Sequence, residues 1–207
     1  SVDAVVTDPP YGIRYQNKRS PKARIVNDER PFVWWMWEAS RILKPTGSLV
    51  CFCRWDVQEA FRVAIELAGF TVRSQWIWDK KAHGMGDCAR TLAPRHETIW
   101  FATKPLFRFP SGRPASVLEH RLIPGLARVH PTEKPVELMA RIIRAVTPVG
   151  GTVLDPCMGS GSTGAACGAE FGFVGVEIER GYFATAVTRM RKTPVGSRFH
   201  TGKRRHR

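Results

Sequence analysis

Four consecutive residues near the start, Asp8-Pro9-Pro10-Tyr11, combine a carboxylate, two rigid backbone positions and an aromatic ring. The prolines fix the backbone and turn the preceding carbonyls outward. Asp8 and a proline carbonyl then make two acceptors converging on one small volume, and Tyr11 adds a flat stacking face. Two acceptors suit an NH2 group on a planar ring. They draw its lone pair out of conjugation and leave it free to attack an electrophilic carbon. A plain turn with a helper tyrosine is the simpler alternative.

A second segment, Leu154-Asp155-Pro156-Cys157-Met158-Gly159-Ser160-Gly161-Ser162-Thr163-Gly164, reads as a strand, a glycine turn and a helix start. Gly159 and Gly161 allow positive φ and close approach of the backbone to a ligand. The N–H groups opening the next helix would point at whatever binds. No Gly-Lys-Ser/Thr ending follows, so this is not a phosphate-binding P-loop. Glu177 ends the following apolar run, about 20 residues on, where nucleoside-binding α/β folds place a carboxylate on the ribose hydroxyls. A tight strand-to-helix turn and a solvated charge are the bland readings of these two features.

The elements that must carry these groups follow from periodicity and breakers. Strands are expected over residues 2–7, 48–53, 70–78, 97–103, 152–154 and 172–177. Helices are expected over residues 32–43, 56–68, 135–146, 162–169 and 181–191, with Gly69 capping the second. Residues 12–31 and 104–129 read as irregular, the latter with prolines at 105, 110, 114 and 124. Strands alternating with helices imply an α/β fold, a mostly parallel sheet covered on both faces. Both chemical segments then lie at carboxyl ends of strands, where ligands bind in open α/β sheets.

The chain has 207 residues, 43% of them hydrophobic, enough for one domain with a real core. No apolar run reaches about 18 residues, so no membrane span is expected. The five cysteines, an odd and scattered set, suit a reducing cytoplasm and make no disulfide framework. Cys51 and Cys53 have no second Cys/His pair at ligand spacing, so they read as buried strand residues and no metal is expected. The formal net charge of +14 favours a polyanionic partner, usually nucleic acid. Residues 192–207 read as a disordered basic tail. The chain opens on Ser1-Val2-Asp3, with neither an initiator Met nor a signal peptide, as if its natural N-terminus had been lost.

Together these segments resemble the amino-group DNA methyltransferases, in the subgroup whose catalytic motif precedes the cofactor motif. The resemblance covers a single catalytic domain over residues 1–191. Asp8-Pro9-Pro10-Tyr11 is similar to the family's catalytic motif, and Asp155 through Gly161 to its cofactor loop. Val176-Glu177 is similar to its ribose-binding strand end, and His130-Pro131-Thr132-Glu133-Lys134-Pro135 to the segment preceding the cofactor strand. The resemblance implies a Rossmann-like methyltransferase fold, with the family's first strand element missing before Ser1. It implies S-adenosylmethionine as cofactor, held at its methionine end by His130, Thr132 and Lys134. Asp155, Pro156, Cys157, Gly159, Ser160, Gly161, Ser162 and Thr163 would line its loop, and Glu177 would take its ribose. Asp8 and Pro9, with Pro10 beside them, would orient the target amine while Tyr11 stacks on a flipped base. Cys157 stands where the family usually has Phe. Asp8 points to N6 of adenine, since cytosine-N4 relatives more often carry Ser there.

By the same resemblance, residues 83–129 are a candidate target-recognition insertion. Arg90, Arg95, Arg108 and Arg113 there would bind DNA phosphates, and Trp100, Phe101, Phe107 and Phe109 would stack on bases. A solvated loop, with its aromatics in the strand core, is the alternative. The interval is short, so a small recognition site or help from a second subunit, as in a homodimer, is expected. Rival functions are cytosine-N4 DNA methylation, RNA adenine-N6 methylation and a non-catalytic nucleic-acid-binding remnant. A cytosine-C5 mechanism through Cys157 is disfavoured, because that Cys lies inside the glycine turn. Protein glutamine methylation is disfavoured by Asp8 and by the motif order.

Overall fold

The computed structural model describes residues 1–14, 25–83, 89–123 and 133–192. Its strands are β1 (Val2–Thr7), β2 (Leu43–Cys53), β3 (Thr71–Asp79), β4 (His96–Thr103), β5 (Val117–Glu119), β6 (Thr152–Asp155) and β7 (Gly172–Gly175). Its helices are α1 (Trp35–Ile42), α2 (Gln58–Leu67), α3 (Val136–Val146), α4 (Ser162–Cys167) and α5 (Arg180–Lys192). The strands form one sheet in the order β5-β3-β4-β2-β1-β6-β7. Only β4 runs against the others, pairing antiparallel with β2 and β3. The sheet is therefore mostly parallel, as the alternation implies.

Period-two alternation divides the strand side chains between two cores. Ala4, Val6, Val50, Phe52, Ile99 and Phe101 face one side, where α3 buries Leu138, Met139, Ile142 and Ile143. Val5, Leu49, Cys51 and Cys53 face the other, against Met36 and Ala39 of α1 and Phe61 and Ile65 of α2. Apolar residues three and four apart in each helix make its buried stripe. Gly69, at φ +83°, ends α2 in the left-handed region, and Phe70 then turns back into the core beside it. The two cysteines of β2 are packing residues in this second core.

Several boundaries differ from the periodic expectation, and α1 starts at Trp35 instead of residue 32. Residues 44–47 belong to β2, because Leu43 is already extended and pairs with Val2. Within residues 104–129, read as irregular, β5 pairs in parallel with β3. Three residues carry too little alternation to be seen. The strand is pinned from outside, by the indole N–H groups of Trp76 and Trp78 donating to the carbonyls of Ala115 and His120 at 2.7 and 2.8 Å. Finally α4 and β7 are each two residues shorter than expected, ending at Cys167 and Gly175. Of the basic tail, only Lys192 lies among the described residues, and it closes α5.

Candidate active site

Strand order reverses at β1, with β2 on one side and β6 on the other, and such a switch point opens a crevice at the carboxyl ends. The two segments meet there. Ala4 and Val5 pair with Val153 and Leu154, which brings Thr7 and Asp155 to adjacent strand ends. The Thr7 hydroxyl donates to Asp155 at 2.7 Å. Asp155 also accepts from the Thr163 hydroxyl at 2.6 Å and the Cys157 N–H at 3.0 Å. Burial pushes its carboxyl up to about 6, against those three donors. Asp155 and Thr163 therefore brace the loop internally.

Among the described residues, 12–14 and 28–32 meet beside the motif. Gly12 and Ile13 donate their N–H groups to the buried Asp28 carboxylate at 2.7 and 3.2 Å. Gly12 sits at φ +81°, and a Cβ there would overlap the Arg30 and Pro31 backbone. Phe32 donates its N–H to the Pro10 carbonyl at 3.1 Å. The Pro10 carbonyl thus anchors Phe32, while Pro10 also lines the cavity beside the motif.

Asp8 is held from both sides. The Tyr11 hydroxyl donates to one carboxylate oxygen, and Lys134 Nζ reaches the other at 2.6 Å. Burial pushes the Asp8 carboxyl up, Lys134 pulls it back, and Glu97 raises it again. Burial, then the Asp8 charge, pushes the Tyr11 phenol well up, so it remains a donor. Its ring packs edge-on against Phe61 at 6.3 Å. In this state Tyr11 serves Asp8, and stacking on a base requires that its hydroxyl let go. Lys134 belongs to this carboxylate cluster and also lines the cavity that the two motifs share. His130 and Thr132 lie outside the described residues.

A cavity of about 420 Å³ joins the two motifs. Asp8, Pro9 and Tyr11 line one end, and Pro156, Cys157, Gly159 and Glu177 the other. The Glu177 carboxylate receives the N–H groups of Gly159 at 2.9 Å and Glu179 at 2.8 Å, one on each oxygen. Each oxygen keeps a further lone pair, the right complement for two vicinal hydroxyls. Ser160 and Ser162 also line the cavity, and both face Arg189 of α5, at 3.5 and 3.3 Å. Arg189 in turn pairs with Glu133 at 2.6 Å. Gly161 takes the positive φ expected of it, and close packing gives it a second reason to be glycine. At φ +82°, a Cβ there would lie 2.8 Å from that of Ala186, so it lets α5 approach. The six residues of α4 are all buried, so its start is a packed turn. Burial pushes the Cys157 thiol well up, with the Asp155 and Glu177 charges adding to it, which denies it the thiolate that a C5 nucleophile needs.

The candidate recognition residues separate. Arg95 grips Asp79 with two bonds of 2.8 Å and so ties the ends of β3 and β4. Arg90 is exposed and already engaged, whereas Arg108 and Arg113 lie on the exposed surface. The aromatics belong to the core. Phe107 and Phe109 fold back onto Phe101, with centroids 5.5 and 5.3 Å away, and Trp100 donates to the Gln58 carbonyl at 3.0 Å. The expectation of base stacking by these rings is corrected, because β4 is an inner strand whose faces must be covered. Two residues that no motif marks matter as much. Glu97 pairs with Lys134 and Lys80, and Asp28 accepts from Gly12 just past the motif. Glu97 carries the one sequence signal, a carboxylate at the edge of an apolar strand, like Glu177.

A mostly parallel α/β sheet with a carboxylate motif and a glycine loop facing each other at its switch point defines the class I methyltransferase fold. Within that class the chain belongs to the N6/N4 DNA methylase family, whose model matches residues 2–113 and 111–188. The methylase-named protein YubD of Escherichia coli K12 is 29% identical over 92% of this chain and 82% of its own length. Type II methyltransferase M.BglII of Bacillus subtilis is 28% identical over 88% of this chain but 61% of its own. Among solved structures, the M1.HpyAVI–SAM complex has a TM-score of 0.74 and 27% identity, covering 92% of this chain and 89% of that one. The cytosine-N4-specific PvuII DNA methyltransferase shares the fold at a TM-score of 0.71 and 20% identity, over 91% and 79% of the two chains.

Asp155 makes stability depend on pH. Unfolded, its carboxyl releases its proton near 3.8, and folded it holds the proton to about 6. Between those values the folded state binds more protons, so stability falls as pH rises from about 4 to 6, by on the order of 2–3 kcal/mol. Urea unfolding of wild type and Asp155→Asn should therefore diverge across that window, with wild type losing ground. Parallel curves would remove the shift.

Proposed function

We propose that this chain transfers a methyl group from S-adenosylmethionine to the exocyclic N6 amine of adenine in DNA. The observation that carries the reading is the shared cavity. It has an anchored carboxylate, Asp8, at one end and a diol-shaped acceptor, Glu177, at the other. Its volume lies within the usual range for small-molecule sites, roughly 300–1,000 Å³. When bound there, S-adenosylmethionine supplies a sulfonium methyl, and the N–C bond forms as the C–S bond breaks.

The residues of this chain do the rest. Asp8 accepts a hydrogen bond from the amine and localises its lone pair, and the Pro9 carbonyl completes the pair of acceptors. Tyr11 gives up Asp8 to the amine and closes on the base, which must leave its duplex to arrive. Glu177 fixes the cofactor by its ribose. Asp8 favours adenine over cytosine, and the net charge of +14 favours a polyanionic substrate. The experiment is methylation of duplex DNA, with RNA and protein in parallel, and mass identification of the modified base. N6-methyladenine in DNA is expected. N4-methylcytosine, or product only in RNA, overturns the assignment.

Asp8→Ala should leave S-adenosylmethionine affinity nearly unchanged and slow methyl transfer about a hundredfold or more, the scale of losing one positioned polar partner. Normal turnover by that variant at saturating cofactor would remove Asp8 from the chemistry. Glu177→Ala should weaken cofactor binding by about 1.5–3 kcal/mol, the worth of hydrogen bonds to a charged group, and leave DNA affinity alone. Equal calorimetric affinities would make Glu177 a loop brace only. Arg108 and Arg113 are exposed cations placed to meet phosphate. Replacing both by Ala should flatten the log–log salt dependence of DNA binding by about one unit for each phosphate no longer neutralised. An unchanged slope moves phosphate binding elsewhere.

A further inference from the structure

Four charged side chains form a row that ends on the reacting carboxylate. Lys80, just past β3, reaches Glu97 of β4 at 2.7 Å. Glu97 meets Lys134, before α3, at 3.1 Å, and Lys134 meets Asp8 at 2.6 Å. The alternating signs cancel, so the row needs no counterion from solvent. The Lys134 side chain is 7% exposed. Its ammonium lies over the rings of Phe52, Tyr11 and Trp78, 5.0, 6.0 and 6.0 Å from their centroids. Rings around a cation strengthen its hold and keep water away from its partners.

The geometry makes Lys134 a clamp. It occupies one Asp8 oxygen and leaves the other, which carries the Tyr11 hydroxyl, as the oxygen that can be handed to an incoming amine. Lys134 needs its own anchor, because a flexible four-carbon ammonium does not hold a direction by itself. Glu97 supplies that anchor from the second residue of β4, an inner strand of the sheet, and Lys80 steadies Glu97. We propose that Glu97 is a positioning residue for the methyl transfer. It holds Lys134, and through Lys134 it sets which oxygen of Asp8 faces the target amine and at what angle. The inference rests on the reading of Asp8 as the amine's acceptor.

The test is single-turnover methyl transfer by the full chain at saturating cofactor and DNA, in a double-mutant cycle. Glu97→Gln keeps shape and removes charge. It should slow transfer by on the order of tenfold to a hundredfold, the scale of a misplaced reacting group. Calorimetric affinity for S-adenosylmethionine should stay within about twofold, since Glu97 does not line the cavity. In an Asp8→Ala background the same substitution should have no further effect, because Glu97 acts only through Asp8. A wild-type rate in Glu97→Gln, or losses that multiply in the double variant, overturns the proposal. Should Glu97→Gln not fold, Glu97→Asp carries the test. A reduced rate at unchanged cofactor affinity supports positioning, and an unchanged rate overturns it. If Asp8→Ala alone keeps full activity, the amine-acceptor reading fails. If Asp8→Ala is slow and Glu97→Gln is not, only the positioning role fails.

Discussion

The bond between the Thr7 hydroxyl and Asp155 is the point on which the site turns. It joins two strand ends that lie 148 residues apart in the chain, at the place where β1 and β6 run side by side. A buried carboxylate is expensive unless it is satisfied, and Asp155 is satisfied only when both strand ends are in place. Its three donors come from β1, from the glycine loop and from α4. The same interaction that braces the fold holds the Asp8 motif against the glycine loop across the cavity.

Burial governs the chemistry at the other end. Asp8 accepts from both Tyr11 and Lys134, yet its burial resists a negative charge. The chain answers with a second buried charge of opposite sign. Lys134 in turn calls for Glu97, and Glu97 for Lys80. Against the cost of burial, the two lysines hold the Glu97 carboxyl below its ordinary range. Such a row is weak support for stability in itself, but it fixes orientation wherever each member has only one good partner direction. A molecule with a net charge of +14 thus keeps a locally neutral centre, and its excess of basic groups lies elsewhere on the chain.

Competition for aromatic rings limits what the segment after β4 can offer a partner. β4 is flanked by strands on both sides and covered on both faces, so Phe101 recruits Phe107 and Phe109 from the following loop. Rings committed to a core cannot also stack on a base. What the loop leaves for a polyanion is charge, at Arg108 and Arg113, which suits phosphate contact better than base reading.

Much was legible along the chain because it depends on local pattern. The alternation of apolar residues in β1 and β2, the helical stripe of α3 and the glycine ending α2 act over a few residues. So do the rigid Asp8-Pro9-Pro10-Tyr11 turn and the glycine loop, and they marked the two halves of the site. Partners chosen across the fold were not legible. Nothing local tells that Lys134 faces Asp8, or that Gly161 is small for the sake of Ala186. Nor does it tell that three residues at Val117 become a strand because two tryptophans on β3 hold them. Hydrogen bonds and ion pairs of buried groups are settled only when the sheet order brings distant residues together, because each buried charge must find its partner among whatever strands lie beside it. The sequence by itself determined which residue types could do the chemistry. The tertiary structure decided which of them line the cavity and which hold the others in place.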